Sequence, residues 1–226
     1  MSGPLALVGG DEFAPGCDFD AELIASVGAA EVVLLATGSA YENPAKVVAV
    51  AQEWFAGLGV GLREVPVYTR PDALVAEHAA AVREAKLVYL TGTSPMHMRS
   101  VLKDTPVYDA VCAAWTGGAV LAGSGAGADV LCDPMVDTRG GAFTVGLGLL
   151  PQMAVVARAD QWSPDKVRRT VDLAPRDVVL VELPERTAVI RDPDGTWRAA
   201  GVGTPVVHRD GRPVTLRELP EPADCT

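Results

Sequence analysis

The stretch Gly123-Ser124-Gly125-Ala126-Gly127 follows an apolar run and precedes a helical pattern, a setting in which a chain can present a nucleophile. A strand that turns sharply into a helix exposes one side chain, and glycines flank it where the turn packs closely. The spacing places the exposed side chain at position 125, and this residue is a glycine. The sequence therefore predicts the turn, but the hydroxyl or thiol that would attack a carbonyl is absent from it.

Other side chains with acid–base or anion-binding chemistry lie near this turn or at the ends of other predicted strands. Asp129 falls in the first turn of the following helix, where it is either a carboxylate favoured by the helix N-terminus or a new acid–base group. Asp11 and Glu12 follow the first strand, and Arg158 ends a later one as either an anion clamp or a surface residue. Ser124 either bonds the local backbone or acts as a nucleophile in a shifted turn.

A second set of residues follows the predicted strands and is a candidate to contact a ligand: Glu42, Tyr41, Ser94, Met96 and Trp162. Loop carboxylates are usually only solvated, and aromatic and methionine side chains are common in protein cores. Both interpretations stay open for this set.

The candidate residues depend on strands whose ends meet, and the first half of the chain has the pattern of such strands. Apolar runs predict strands at Leu5–Gly9, Glu31–Gly38, Lys86–Gly92 and Gly118–Gly123, and amphipathic segments predict helices at Phe19–Val27, Pro44–Leu58, Asp72–Ala85 and Val107–Trp115. Continuous Val/Leu runs that alternate with helices indicate a parallel sheet with right-handed crossovers. Ligands bind at the carboxyl ends of such strands, so we expect the candidate residues to converge on one pocket.

The second half of the chain is richer in short strands. Runs at Ala142–Leu150, Met153–Arg158, Asp177–Glu185, Arg186–Asp192 and Thr196–Gly203 predict strands, with hairpins at Ala188–Ala200 and Val206–Thr215. One helix interrupts them, with Ser163 as N-cap and Pro164 at its first position. The predicted class is α/β: a three-layer, doubly wound, mostly parallel sheet with antiparallel hairpins toward the C-terminus, in a single domain over residues 1–226.

The composition argues against several classes of partner. The net charge is −10 without a basic stripe, which does not suit nucleic acid, and no apolar run is long enough for a membrane span. No ligand spacing for a metal and no cofactor-binding motif is present. The four cysteines lie far apart and form no CxxC pair, which is typical of reduced thiols in a cytoplasmic protein. We expect a small-molecule or peptide ligand, and a homodimer stays open.

Four ordered motifs together resemble the cyanophycinase and aspartyl dipeptidase family of serine peptidases, whose fold is like that of class I glutamine amidotransferases. The motifs are YLTGTSPMHMRSVL, GSGAGADVL, DPMVDTRGGAFTVGLGLLP and ELPERTAVI, and the likeness runs from about Leu5 to past Gly201. The resemblance implies a serine at the turn, a histidine that takes its proton, a carboxylate that orients the histidine and backbone N–H groups that hold the oxyanion.

The chain departs from this family pattern at three of its four elements. Gly125 stands at the nucleophile position, and Arg158 and Ala159 stand where the resemblance implies the histidine. The oxyanion loop, which usually carries paired glycines, has Gly92 followed by Thr93. Only Glu185 matches the carboxylate that orients the histidine. We expect the joint loss of the serine and the histidine to abolish the parent chemistry.

Three functions stay open at this point. The first is a catalytically degenerate homologue that binds a small molecule or peptide in the former active-site cleft. The second is a repurposed enzyme that uses Asp129, Glu185, Asp11 or Arg158 for isomerisation, cyclisation or elimination without a covalent intermediate. The third is a residual hydrolase that acts through Ser124.

Overall fold

A computed structural model describes residues 1–223 of the chain. Cys225, one of the cysteines predicted to be reduced, lies outside the described residues. The thiols of Cys17 and Cys132 are buried and donate to backbone carbonyl oxygens. Within residues 1–223, no helix has the length and apolar character that crossing a bilayer requires.

The described chain folds into helices and short strands that are numbered in chain order. The strands are β1 (Leu5–Val8), β2 (Glu31–Gly38), β3 (Gly61–Glu64), β4 (Leu87–Gly92), β5 (Val120–Ser124), β6 (Cys132–Asp133), β7 (Met135–Asp137), β8 (Ala142–Thr144), β9 (Leu150–Pro151), β10 (Met153–Ala157), β11 (Val179–Leu183), β12 (Thr187–Arg191), β13 (Trp197–Gly201), β14 (Val206–Arg209) and β15 (Arg212–Val214). The helices are α1 (Phe19–Val27), α2 (Pro44–Gly57), α3 (Arg70–Ala73), α4 (Ala76–Arg83), α5 (Pro95–Leu102), α6 (Pro106–Thr116), α7 (Ala126–Leu131) and α8 (Pro164–Leu173).

The larger sheet has the strand order β13-β12-β1-β5-β4-β2-β3. The strands β1, β5, β4, β2 and β3 run parallel, and β12 and β13 add an antiparallel hairpin at one edge. The predicted mostly parallel sheet and the predicted hairpin are confirmed. The edge strand β3 was missed, because its sequence GLRE has none of the apolar character of a buried strand.

Both faces of this sheet are covered, which explains the continuous apolar runs of its strands. Alternate residues of β1 belong to two different cores: Leu5 and Leu7 pack with α4, α5 and α6, and Ala6 and Val8 pack with α1 and α2. Successive side chains of a strand point to opposite faces, so a strand between two helical layers must be apolar throughout. The three-layer prediction is confirmed for this part of the fold.

A second sheet, of order β15-β14-β11-β10-β6-β9, holds most of the C-terminal half. Its β14–β15 hairpin is antiparallel as predicted, but β10 and β11 run parallel. These two strands can run parallel because α8 connects them as a crossover helix. The predicted N-cap of this helix is present, since the side chain of Ser163 accepts a hydrogen bond from the N–H of Lys166. The predicted strand at Ala142–Leu150 is instead the two short strands β8 and β9 with a loop between them.

The helix predicted at Asp72–Ala85 is also divided in two. Thr69 caps a short helix one turn earlier, and the side chain of Asp72 accepts a hydrogen bond from the N–H of Thr69. This reciprocal capping box starts α3 at Arg70, before the predicted helix. The helix ends at Ala73, and α4 begins separately at Ala76.

Replacement of Asp20 by asparagine should make the free energy of unfolding less dependent on pH. Burial raises the pKa of Asp20 to about 7, although the indole N–H of Trp54 donates to its Oδ2 atom at 2.9 Å. Since an unfolded aspartate has a pKa of about 3.9, the folded state holds this proton more tightly between about pH 4 and 7. The free energy of unfolding should therefore fall as the pH rises through that window.

Asp20→Asn removes this titration and keeps an oxygen for Trp54. Its free energy of unfolding, relative to that of the wild type, should therefore increase toward pH 7, by about a few kcal/mol. Urea unfolding at several pH values measures the difference. The exposed Asp18→Asn is the matched control and should show no such trend. Parallel curves for Asp20→Asn and wild type would contradict the prediction.

Candidate active site

The turn after β5 has the backbone conformation predicted for it. Gly125 lies between the end of β5 and the start of α7 with φ 54° and ψ −115°, a conformation that L side chains rarely adopt. A Cβ atom on Gly127 would lie 2.2 Å from the carbonyl oxygen of Leu90 in β4, so the first turn of α7 touches the strand directly. A Cβ atom on Gly125 would lie 2.8 Å from the carbonyl oxygen of Gly92. The backbone thus forms an elbow that presents no side chain.

The loop after β4 faces this elbow with a carbonyl oxygen. The backbone N–H groups of Thr93 and Ser94 donate to the carbonyl oxygen of Gly38, at 3.3 and 3.1 Å. Gly92 has a φ of 137°, and its carbonyl oxygen lies next to position 125. The N–H groups of this loop are therefore engaged by the backbone of β2, and the group nearest the elbow is an acceptor.

A cleft of about 560 Å³ opens at the carboxyl ends of β1, β4, β5 and β10, where parallel α/β sheets bind their ligands. It combines charged side chains with an apolar wall. Its lining residues are Gly10, Asp11, Glu12, Phe13, Ser39, Glu42, Lys46, Val47, Val50, Gly92, Thr93, Gly125, Ala126, Asp129, Thr138, Ala157, Arg158 and Trp162. The structure therefore brings Asp11, Glu42, Asp129, Arg158 and Trp162 together with the elbow.

Asp129 lies at the buried end of this cleft. Its exposed fraction is 1%, and its Oδ1 atom has no hydrogen-bond partner within the described residues. Burial raises the pKa of the carboxyl group well above its usual range, and the backbone N–H of Ala157 lowers it by a smaller amount. Burial thus favours the neutral acid over the carboxylate at Asp129, which lines the space that a ligand would occupy.

Arg158 and Glu185 form an ion pair at one side of the cleft. Arg158 directly follows β10 in a left-handed conformation with φ 55°, and its Nε atom donates to Oε1 of Glu185 at 2.7 Å. The side-chain amide of Gln161 donates to the other carboxylate oxygen at 3.2 Å. Glu185 does not line the cleft itself but holds the guanidinium that does. The carboxylate therefore orients a cation at this place.

Other lining charges also have partners. Asp11 pairs with Arg186 at 3.2 Å, and Glu42 accepts a hydrogen bond from the hydroxyl of Thr93 at 2.6 Å. Lys46 reaches the cleft from the first turn of α2. The cleft therefore holds both signs of charge, with carboxylates on the loops after β1 and β2.

Glu12 has a larger part in the site than the sequence indicated. Its Oε2 atom accepts a hydrogen bond from the hydroxyl of Ser124 at 2.8 Å, and its Oε1 atom accepts one from the hydroxyl of Thr91. Ser124 has an exposed fraction of 0% and is not among the residues that line the cleft. The carboxylate of Glu12 thus joins the ends of β4 and β5 from the loop after β1. In the sequence, the signal for this role was the presence of hydroxyl residues, Thr91 and Ser124, near the ends of two predicted strands, where they could donate to a carboxylate.

Three of the predicted contact residues lie elsewhere. Tyr41 is 83% exposed and its ring contacts His97 edge-on, with 4.7 Å between the ring centroids. Ser94 caps α5, where its hydroxyl accepts from the N–H of His97, and Met96 is 40% exposed on the same helix. All three are close along the chain to lining residues such as Glu42 and Thr93, but they are not part of the lining themselves.

No histidine lines the cleft among residues 1–223. The ring nitrogens of His78 and His97 lie 2.9 Å from the carbonyl oxygens of Asp72 and Tyr68, and His208 pairs with Glu182 at 2.7 Å on the second sheet. His208 is half-buried in the β14–β15 hairpin. The same described part of the chain contains no cluster of three side chains that could hold a metal ion.

Glu12→Ala should destabilise the protein, because it leaves the buried hydroxyl of Ser124 without its acceptor. An unsatisfied buried polar group costs about 1–3 kcal/mol, so chemical denaturation should show a loss in this range. Glu12→Gln keeps an acceptor and should lose less. The exposed Glu42→Gln is the matched control and should remain close to wild type. An Ala variant as stable as wild type would contradict the role given to Glu12.

Comparison with known proteins places this geometry in a family. The sequence profile of Peptidase family S51 matches residues 12–192. Cyanophycinases from Synechococcus elongatus and from Thermosynechococcus vestitus (strain NIES-2133 / IAM M-273 / BP-1) are each 28% identical over 162 residues, which are 64% of this chain and 49% of each relative. The chain thus spans about half the length of the curated relatives that it matches.

Solved structures agree with this match. The crystal structure of a peptidase from an acI-B1 Actinobacterium has a TM-score of 0.83 and 25% identity, covering 93% of this chain and 92% of that one. A putative peptidase E protein from Listeria monocytogenes EGD-e has the same fold, with a TM-score of 0.70 and 14% identity over 90% of this chain and 100% of that one. The family profile covers most of the chain, and the chain belongs to Peptidase family S51.

Proposed function

We propose that this chain is a non-hydrolytic member of its peptidase family that binds a small molecule or peptide in the cleft. The observation that carries the proposal is the elbow at Gly125. Its φ and ψ have the strained values at which a nucleophile is presented, and the residue has no side chain to present. A covalent acyl-enzyme intermediate needs an oxygen or sulfur atom at this point.

Among the described residues, the lining of the cleft also contains no histidine to act as the general base of a serine mechanism. Arg158 stands after β10, where the family resemblance implies a histidine, and a guanidinium with a pKa above 12 does not accept a proton. Glu185 contacts this guanidinium as the family carboxylate would contact the imidazole. The orienting contact is thus retained around a group that cannot carry out the proton transfer.

Stabilisation of an oxyanion is weakened in the same region. Donors must point at the developing negative charge, but the N–H groups of Thr93 and Ser94 already donate to the carbonyl oxygen of Gly38. The carbonyl oxygen of Gly92 faces the elbow and would repel an oxyanion there. Two parts of the hydrolytic arrangement therefore lack the groups that the reaction needs, and in a third the N–H groups of Thr93 and Ser94 are already engaged.

Ser124 does not supply a replacement nucleophile. Its hydroxyl proton is donated to Glu12, and its side chain is fully buried outside the cleft lining. A substrate carbonyl could reach it only after the turn had shifted. This arrangement favours a structural hydroxyl over the residual hydrolase.

The cleft nevertheless has the character of a binding site. It pairs an apolar wall containing Phe13, Val47 and Trp162 with convergent polar groups, as small-molecule sites do. The buried carboxyl of Asp129 at its inner end has an unsatisfied oxygen, which a ligand can complete.

Asp129 also favours one second candidate, a repurposed enzyme. A buried carboxyl group whose burial favours the protonated form can donate a proton to a carbonyl oxygen and recover it, which would support isomerisation, cyclisation or elimination without a covalent intermediate. Asp11 lies in the same cleft as a second carboxyl group. Turnover of a bound ligand, lost in Asp129→Asn while binding persists, would favour this candidate over simple binding.

The wild-type protein should show no serine-peptidase activity. Incubation with β-aspartyl dipeptides should release no amino acid, and a fluorophosphonate probe should not label the protein, because position 125 has no hydroxyl and the hydroxyl of Ser124 is buried outside the cleft lining. Ser124→Ala is the control variant and should behave identically in both assays. Specific labelling that disappears in Ser124→Ala would restore the residual hydrolase.

Gly125→Ser should not restore hydrolysis by itself. No histidine lines the cleft among the described residues to take the proton of the introduced hydroxyl, and the new Cβ atom would lie 2.8 Å from the carbonyl oxygen of Gly92. Gly125→Ala carries the same backbone strain without a hydroxyl, so both variants should lose about 1–3 kcal/mol of stability and neither should cleave β-aspartyl dipeptides. Hydrolysis by the serine variant alone would reveal a base among the cleft residues.

A further inference from the structure

The carboxyl group of Asp129 is the one deep polar group of the cleft whose hydrogen bonding is incomplete among the described residues that line it. Asp129 is 1% exposed, and α7 holds its backbone through the bond from its N–H to the carbonyl oxygen of Gly125 at 3.0 Å. The backbone N–H of Ala157 donates to the carboxyl group, but Oδ1 has no partner. An unpaired polar atom in such a place costs stability unless a ligand completes it.

The surroundings determine which form of the carboxyl group meets the ligand. Gly125, Ala126 and Ala157 line the cleft beside it and contribute no charge. An ionised carboxylate is costly in such a place without a cation, and Arg158 is already paired with Glu185. The neutral acid has one oxygen that accepts from Ala157 and one O–H group that must donate elsewhere.

We propose that Asp129 is a hydrogen-bond donor that recognises an uncharged carbonyl oxygen, such as that of an amide, at the inner end of the cleft. This inference rests on the proposed ligand-binding function and names the chemistry of its deepest contact. Gly125 and Asp129 both line the cleft, and Gly125 has no side chain, so a planar amide bound to Asp129 would contact the backbone of the elbow.

The charges of the cleft favour an uncharged carbonyl over a carboxylate. Apart from Asp129, the charged lining residues are the carboxylates Asp11, Glu12 and Glu42 and the cations Lys46 and Arg158. Carboxylates outnumber cations in this lining, so an anionic ligand would meet net repulsion. An ammonium group would require Asp129 to ionise, and its burial opposes that charge. A neutral acceptor meets neither penalty.

Three probes of matched shape separate these chemistries: N-benzylacetamide, its reduced analogue N-benzylethylammonium, and 3-phenylpropanoate. Their phenyl group suits the apolar wall that contains Phe13 and Trp162. Chemical-shift titration of the ¹⁵N-labelled protein gives a dissociation constant for each probe. The amide should bind most tightly to wild type, and Asp129→Ala should weaken it about tenfold, the effect of one buried hydrogen bond.

Asp129→Asn is the decisive variant. An asparagine keeps an oxygen for the N–H of Ala157 and places an N–H donor where the acid had its O–H, so the amide should bind within about threefold of wild type. The exposed Asp172→Asn is the control for a change in net charge and should leave all three constants unchanged. Thermal melts establish that each variant is folded, and Asp129→Leu takes the place of the alanine variant if the latter unfolds.

Two results would overturn the inference while the binding function stands. One is amide binding that is as tight in Asp129→Ala as in wild type. The other is preferred binding of the ammonium probe that Asp129→Asn abolishes, which would make Asp129 a carboxylate receptor. If wild type binds none of the three probes, the binding function of the cleft fails instead, and the inference fails with it.

Discussion

The close contact between the first turn of α7 and the backbone of β4 is the constraint on which the rest of the site depends. A Cβ atom on Gly127 would lie 2.2 Å from the carbonyl oxygen of Leu90, and one on Gly123 would lie 2.6 Å from the carbonyl oxygen of Gly127. With no side chains between them, α7 begins directly against the sheet. This contact fixes the path of the elbow and carries Asp129, one helical turn later, to the buried end of the cleft.

The same constraint explains how the elbow can persist without its nucleophile. The turn is held by backbone packing and by the N–H of Gly125, which donates to the carbonyl oxygen of Val8 at 3.0 Å, and neither contact involves a side chain at position 125. A glycine there relieves the strain that any other residue would bear at φ 54°. The backbone contacts therefore hold the elbow in place with a glycine at position 125, and the fold does not depend on a side chain there.

The sequence predicted the parts of the fold in which local pattern and tertiary packing agree. The buried strands β1, β2, β4 and β5 were found within two residues, because both of their faces are covered and their apolar runs are continuous. The parallel pairing of β10 with β11 was missed, since it depends on the crossover through α8 rather than on either strand. In the site, the cleft position of Asp129 followed from the elbow spacing, whereas the contacts of Glu12 depend on side chains from one loop and from the ends of two strands. No spacing along one segment encodes that meeting.

Asp129 has a thermodynamic cost that the fold alone does not explain. A buried carboxyl group with one unpaired oxygen destabilises the folded state, and an apolar residue of similar size would pack in the same place without that penalty. The neighbouring residues Ala128 and Val130 are fully buried and apolar, so α7 is otherwise built as a core helix. A polar group that breaks this local pattern at the end of a cleft is typical of a site under functional constraint. The polar residue that interrupts the apolar pattern of α7 is thus one that lines the cleft, one helical turn after the elbow at Gly125.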